Sequence, residues 1–206
     1  MSNSLAVAAV TAVIRNRLAV LATPLTGETT TDLSDTQVTT LPPDKAGQQE
    51  DHSQVNVFLY QVQPSAPGRN LDSRGQAGRK PALAIELFYL LTFYGRNSSE
   101  ILAQRLLGRA MSIIHSQPAL EPAELQEAMR GTISNLHLGV DRVRLTPHVM
   151  PNEEMVRLWG TFQVKYRLSV AYRAAILLID HEHPAVEQPV PSQVRVAVGT
   201  TPGAAP

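Results

Sequence analysis

Hydrophobic positions along this chain fall into a few blocks, and the densest lie in its middle. Gln54 to Gln63 and Ala82 to Tyr94 are rich in β-branched and aromatic residues and stay apolar on both side-chain alternations. That pattern predicts strands covered on both faces. The first ends at Pro64 and the second closes at Gly95. Val140 to Val149 alternates instead, setting Val143 and Leu145 against Arg142 and Arg144, as a strand covered on one face does. Leu168 to Ile179 reads as another apolar strand, crossed by the single charge of Arg173, and Thr36 to Leu41 as a short strand stopped by Pro42-Pro43.

Helical spacing occupies the segments between them. An alanine-rich run, with Ser2 or Asn3 as its cap, reaches to about Leu21 before Thr23-Pro24. Asn97 and Glu100 stand in capping-box spacing, and Leu102, Leu106, Ala110 and Ile113 or Ile114 form a stripe that Pro118 stops. Glu121-Pro122-Ala-Glu124 has the acidic start and early proline of a helix running to about Arg130, and Pro151 or Asn152 begins a short one ending near Trp159. The order of elements predicts an α+β fold: a single domain whose mostly antiparallel or mixed sheet of about four or five strands is covered by helices. No repeat of solenoid length interrupts it.

The ten aromatic residues all lie from Phe58 to Tyr172, so neither the first 57 nor the last 34 residues carry the bulky groups that anchor an independent core. We therefore expect one domain over residues 1–183 and a proline-rich tail or interaction arm over 184–206. Pro184, Pro189, Pro191, Pro202 and Pro206 leave only Gln193 to Gly199 able to extend, with Val194, Val196 and Val198 on one side. Such a tail either stays disordered or adds a strand to an open sheet edge of a neighbour. Between the two central strands, Arg69, Arg74, Arg79 and Lys80 make a basic loop, a second candidate for contact with a partner.

Charge narrows the function more than it changes the fold. Lysine plus arginine equals aspartate plus glutamate at 18 each, which leaves no global field to hold a phosphate backbone or an acidic membrane. Among the basic residues only Lys45, Lys80 and Lys165 are lysine, and guanidinium groups are the cations favoured in protein interfaces. Genome composition accounts for that bias equally well. Without cysteine there is no disulfide and no thiolate chemistry. The apolar run from Leu5 to Leu21 lacks a basic start and is broken by Arg15, Asn16 and Arg17, unlike a signal peptide, and no stretch of about 18 apolar residues could span a membrane. The reading is of a soluble protein made in the cytoplasm.

Catalytic constellations are scarce. Asp180-His181-Glu182-His183 sets His181 and His183 on one side of a strand end, but two imidazoles do not complete a metal site, and a solvated polar stop explains the run. His115 sits where a helix end favours positive charge, and His52, His137 and His148 lie in or beside loops. No Gly-x-Ser-x-Gly elbow and no glycine-rich phosphate cradle is present. Glu86 and Arg173 each interrupt an apolar strand, and desolvation favours their pairing across adjacent strands. No cofactor, no metal and no enzymatic activity is expected.

Several segments in order resemble the N-terminal domain of cap, or tail-terminator, proteins from extracellular contractile injection systems, phage-tail-like particles that include antifeeding prophages. They are Val55-Asn-Val-Phe-Leu-Tyr-Gln-Val62, Arg69-Asn70-Leu71-Asp72, Leu87-Phe-Tyr-Leu-Leu-Thr-Phe-Tyr-Gly95, Gln104-Arg-Leu-Leu-Gly108, Leu145-Thr-Pro147, Trp159 and Ser169-Val-Ala-Tyr172. The resemblance implies a structural homohexamer on the distal end of a sixfold inner tube and its sheath, ending their polymerisation and linking their ends. Its implied partners are further copies of itself, the inner tube protein and the sheath protein, with no nucleic acid and no direct membrane insertion. The particle would be cytoplasmic, membrane-docked or released. Partner-binding candidates are Arg69, Arg74, Arg79, Lys80, Val194, Val196 and Val198. The alternatives are a tail-completion protein of a contractile phage, a metal-dependent enzyme built on His181 and His183, and a monomeric adaptor.

Overall fold

The computed structural model describes residues 5–23, 33–65, 83–128 and 143–179, with the backbone alone for 176–179. Among the described residues four helices, α1 (Ala6–Leu18), α2 (Glu100–Ser116), α3 (Pro122–Ala128) and α4 (Asn152–Thr161), accompany six strands. The strands are β1 (Gln37–Thr39), β2 (Gln54–Pro64), β3 (Leu83–Tyr94), β4 (Ala119–Leu120), β5 (Val143–His148) and β6 (Ser169–Ile179). They form one sheet in the order β1-β2-β3-β6-β5-β4, antiparallel throughout except for the parallel pair β1 and β2. The α+β expectation holds, and all five expected strands are present. The sixth, β4, has two residues, too short for periodicity to reveal.

β3 sits at the centre because its sequence tolerates burial on both sides. By alternation Ile85, Leu87, Tyr89, Leu91 and Phe93 face α1 and α2, joined by Val55, Val57, Val143, Leu145 and Tyr172 from the other strands. α1 contributes Ala6, Ala9, Val10, Val13, Ile14 and Leu18, and α2 contributes Ala103, Leu106, Ala110 and Ile114. One polar tie crosses this core: the Thr11 hydroxyl donates to Val7 O at 3.1 Å and meets the Tyr89 hydroxyl at 2.9 Å. Burial holds the Tyr89 phenol well above its ordinary pKa, so it stays a neutral hydrogen-bonding group that locks α1 onto β3.

The opposite face is aromatic and is covered by α4. Trp159 is 2% exposed, donates from Nε1 to Ser169 Oγ at 3.3 Å, and lies edge-on to Phe162, which in turn meets Phe58 at 5.5 Å. Farther along the same face Phe88 contacts the Tyr60 and His148 rings.

Three local expectations are corrected. The cap of α2 is Ser99, whose hydroxyl accepts from Leu102 N, because Asn97 and Ser98 both take left-handed backbone angles and form the turn before the helix. Leu5 occupies the cap position of α1 without a side-chain bond, while Ser2 and Asn3 lie outside the described residues. β2 is buried only over its first half. Its register against β3 shifts between Leu59 and Gln61, and its last four residues are exposed, since no described strand lies beside them on the outer edge.

Candidate interaction surfaces

The two sheet edges end differently. β4 pairs with Val143 and Arg144, and Leu145 N donates to Pro118 O at 2.7 Å, which closes part of the β5 edge. On the other side β1 pairs only with Gln54, Val55 and Asn56 of β2. Asn56 ends that ladder: its Oδ1 accepts from Leu41 N and from Thr39 Oγ1, both at 2.8 Å, and its Nδ2 donates to Leu41 O at 2.9 Å. The side chain thus stands where the next strand residue would pair. Gln54 acts likewise, donating to Thr39 Oγ1 at 2.7 Å and accepting from Gly47 N at 2.8 Å. From residue 57 to Pro64 the outer edge of β2 meets no other strand among the described residues. Val62, on the helix-facing side opposite Leu87, is 48% exposed there.

A groove of about 610 Å³ opens between α1, α2 and α3, lined by Val13, Val20 and Ile113 on its apolar side and by Arg17 and Glu124 on its polar side. Arg17 explains how the bundle holds together. Its guanidinium, 8% exposed, donates to both carboxylate oxygens of Glu124 and to the carbonyls of Gln117 and Ala119. The hydrogen bonds from Arg17 hold the Glu124 carboxyl below its ordinary pKa, against the opposing effect of burial. Arg109 plays a parallel part, donating to the carbonyls of Leu21, Val20 and Thr23 at the end of the first helical segment. Sequence reasoning noted Arg17 only as a break in an apolar run and passed over Arg109. An arginine on the face of a helix that otherwise packs was the available signal.

Catalytic arrangements fare poorly. Glu86 and Arg173 meet across β3 and β6 at 3.6 Å, as their positions predicted, and Ser65 Oγ donates to Glu86 at 3.2 Å. Glu86 is therefore a partnered group at a register shift, not an isolated acid in a pocket. His115 is exposed on the last turn of α2, and His148 stacks edge-on to Phe88. Among the described residues no three His, Cys, Asp or Glu groups converge to hold a metal ion. The cavity beside Gly47, Tyr94 and Gly95 has about 20 Å³, room for about one water. No described helix is long and apolar enough to cross a membrane. His181 and His183, the basic residues Arg69, Arg74, Arg79 and Lys80, and the valines Val194, Val196 and Val198 all lie outside the described residues.

Comparison with known proteins places this architecture. Across its full length the chain resembles the sheath and tube terminator of an extracellular contractile injection system, PVC, in its extended state, with a TM-score of 0.62 and 16% identity, and spans 67% of that chain. Over 80% of its length it resembles the tube-terminating cap of the anti-feeding prophage, with a TM-score of 0.52 and 17% identity, and spans 55% of that chain. At these identities the likeness is one of fold. No curated protein sequence matches the chain significantly. Residues 8–193 match the Pvc16 N-terminal domain family, and the chain belongs to that family.

Proposed function

We propose that this protein is a structural cap, or tail terminator, of a contractile injection system, which ends polymerisation of the tube and sheath and links their distal ends. The observation that carries the reading is the match of residues 8–193 to the Pvc16 N-terminal domain family. Its chemistry agrees. The charges that interrupt apolar strands and helices, Glu86 with Arg173 and Arg17 with Glu124, are engaged with each other. They stiffen the domain instead of waiting for a substrate, so the protein acts as a scaffold and not as an enzyme. In this reading it assembles as a homohexamer whose partners are its own copies, the inner tube protein and the sheath protein. Closed rotational symmetry lets one small domain finish a much larger tube. Residues 1–183 form the body and 184–206 an interaction arm, with Arg69, Arg74, Arg79 and Lys80 as a second contact. It is made in the bacterial cytoplasm and becomes part of a phage-tail-like particle.

Electron microscopy of particles assembled with and without the protein tests this. Loss of the cap should give tubes of uncontrolled length with sheath missing or detached at the distal end. Particles of normal length with intact sheath in its absence would overturn the proposal.

A further inference from the structure

We infer that residues 42–52, between β1 and β2, form a strap that opens and closes as a unit over the turn from β3 into α2, and that its release lets this turn relax out of the left-handed geometry the closed domain imposes. The device belongs to the domain by itself and is independent of the cap role.

The cost of the fold is concentrated at this junction. Four described residues have positive φ, and three of them meet here: Gly47 in the strap at 70°, and Asn97 at 52° and Ser98 at 58° in the turn. For residues other than glycine this region is disfavoured, because Cβ crowds the following carbonyl oxygen, and two such residues in succession persist only where their surroundings impose them. Of the four buried side-chain oxygens that lack a partner among the described residues, two are also here, Asp35 Oδ1 and Thr36 Oγ1 at the entry to β1.

What imposes the turn is a short set of polar bonds. Asn97 N donates to Glu50 O at 2.8 Å, and Arg96 N donates to Ser53 Oγ at 3.2 Å. Ser53 is fully buried, and its carbonyl accepts from Gln37 N at 2.8 Å, so one residue joins β1 to the turn. The Arg96 guanidinium reaches Asp35 at 3.2 Å. The strap itself is fixed at Gly47, whose amide donates to Gln54 Oε1 at 2.8 Å and whose backbone lies against the Tyr94 ring: a Cβ there would stand 2.2 Å from two ring carbons. Positive φ and this close approach together require glycine.

Little apolar burial backs these bonds. Within the strap only Pro43 and Ala46 are buried, while Gln48 to Asp51 are exposed. A segment held in this way opens at a lower free energy than a core strand. The sheet does not depend on it, since β2 and β3 pair with each other from Gln54 and Tyr94 onward. Opening therefore leaves the sheet intact, uncovers the Tyr94 ring and the small cavity beside it, and frees the start of α2, where Ile101 is already 72% exposed.

Amide hydrogen exchange of the full-length chain, read at single-residue resolution, tests this. The amides of Gly47, Arg96 and Asn97 should share one protection factor, about 100-fold below that in the middle of β3 and nearly constant in dilute urea, because a local opening exposes little surface. Protection equal to that of β3, with the same urea dependence, overturns the local opening, and three unrelated values overturn movement as a unit. Ser98→Gly relieves the crowding in the turn and gives up only the long contact of Ser98 Oγ with Glu50 at 3.5 Å. If strap and turn open together, it should raise protection of the Gly47 amide about threefold, the relief being partly offset by the freedom glycine gains in the open state. An unchanged value at Gly47 overturns the coupling between strap and turn.

Discussion

Replacing Asn56 by leucine removes the polar end of the β1 ladder while nearly conserving volume. Asn56 is fully buried and makes three hydrogen bonds, two with the backbone of Leu41 and one with Thr39. In the variant the Leu41 amide and carbonyl and the Thr39 hydroxyl lose these partners. A buried group left unpaired costs about 1–3 kcal/mol, and Leu41 is itself partly exposed, so its two groups recover some water and belong at the low end. Thr39 Oγ1 keeps its bond from Gln54, which places it there too. The sum is about 3 kcal/mol, and with a urea dependence of about 2–3 kcal/mol per M the unfolding midpoint should fall by about 1–1.5 M. Hydrogen exchange distinguishes local from global loss: the Leu41 amide should become unprotected, while amides in β3 and β6 lose only as much protection as global stability drops. A midpoint shift below about 0.3 M together with retained protection at Leu41 would refute the claim that this side chain ends the strand. The variant should also aggregate more readily, since detaching β1 uncovers the β2 edge at Gln54, Val55 and Asn56.

Three further outcomes follow from the geometry. Gly95→Ala should destabilise by about 3 kcal/mol or prevent folding, measured by urea unfolding: a Cβ there would sit 2.0 Å from Ser99 O and 2.9 Å from Leu102 Cβ, and the turn into α2 has no side chain that can simply swing away. Gly108→Ala should raise stability by about 1 kcal/mol, because it adds helix propensity at an exposed position where a Cβ meets nothing, and a lower thermal midpoint would contradict this. Glu124 is held below its ordinary pKa, so its contribution is present above the unfolded-state value of about 4.3 and is lost as pH falls through the lower folded value; the urea midpoint of the wild type should therefore drop more than that of Glu124→Gln between pH 5 and pH 3, and parallel profiles would show the Arg17 pairing adds nothing.

Much of this fold was legible because burial on both faces leaves a simple mark. The run from Leu83 to Tyr94 could hardly be anything but a central strand, and Val143 and Leu145 against Arg144 gave the side of the sheet that β5 buries. The charges that crossed apolar strands found each other at Glu86 and Arg173, since two groups costly to bury alone have adjacent strands as their cheapest solution. β2 misled because composition reports what a side chain tolerates and not what covers it. Phe58 and Leu59 are apolar, yet the strand beyond them leaves the packed region once β1 stops. Ser99 was missed as a cap because the decisive quantity was backbone angle: Asn97 has the right side chain but a left-handed conformation. The long-range arginine contacts were illegible for a different reason. Arg17 reaches residues about a hundred positions away, and no periodicity encodes which carbonyls a folded chain will bring to it.

The distribution of strain and stiffness in the domain bears on its role. Its middle is overdetermined: β3 is hydrogen-bonded on both sides, covered by α1 and α2 on one face and by the aromatic layer under α4 on the other. Polar side chains then finish each place where regular structure gives out, Asn56 at the end of β1, Arg17 where α2 and α3 meet, Arg109 at the end of the first helical segment. Among the described residues the outer edge of β2 beyond Asn56 meets no other strand, and Val62 there is half exposed. A body whose charges and element ends are tied in this way holds its shape as a unit, which is what the proposed role as a structural cap asks of it.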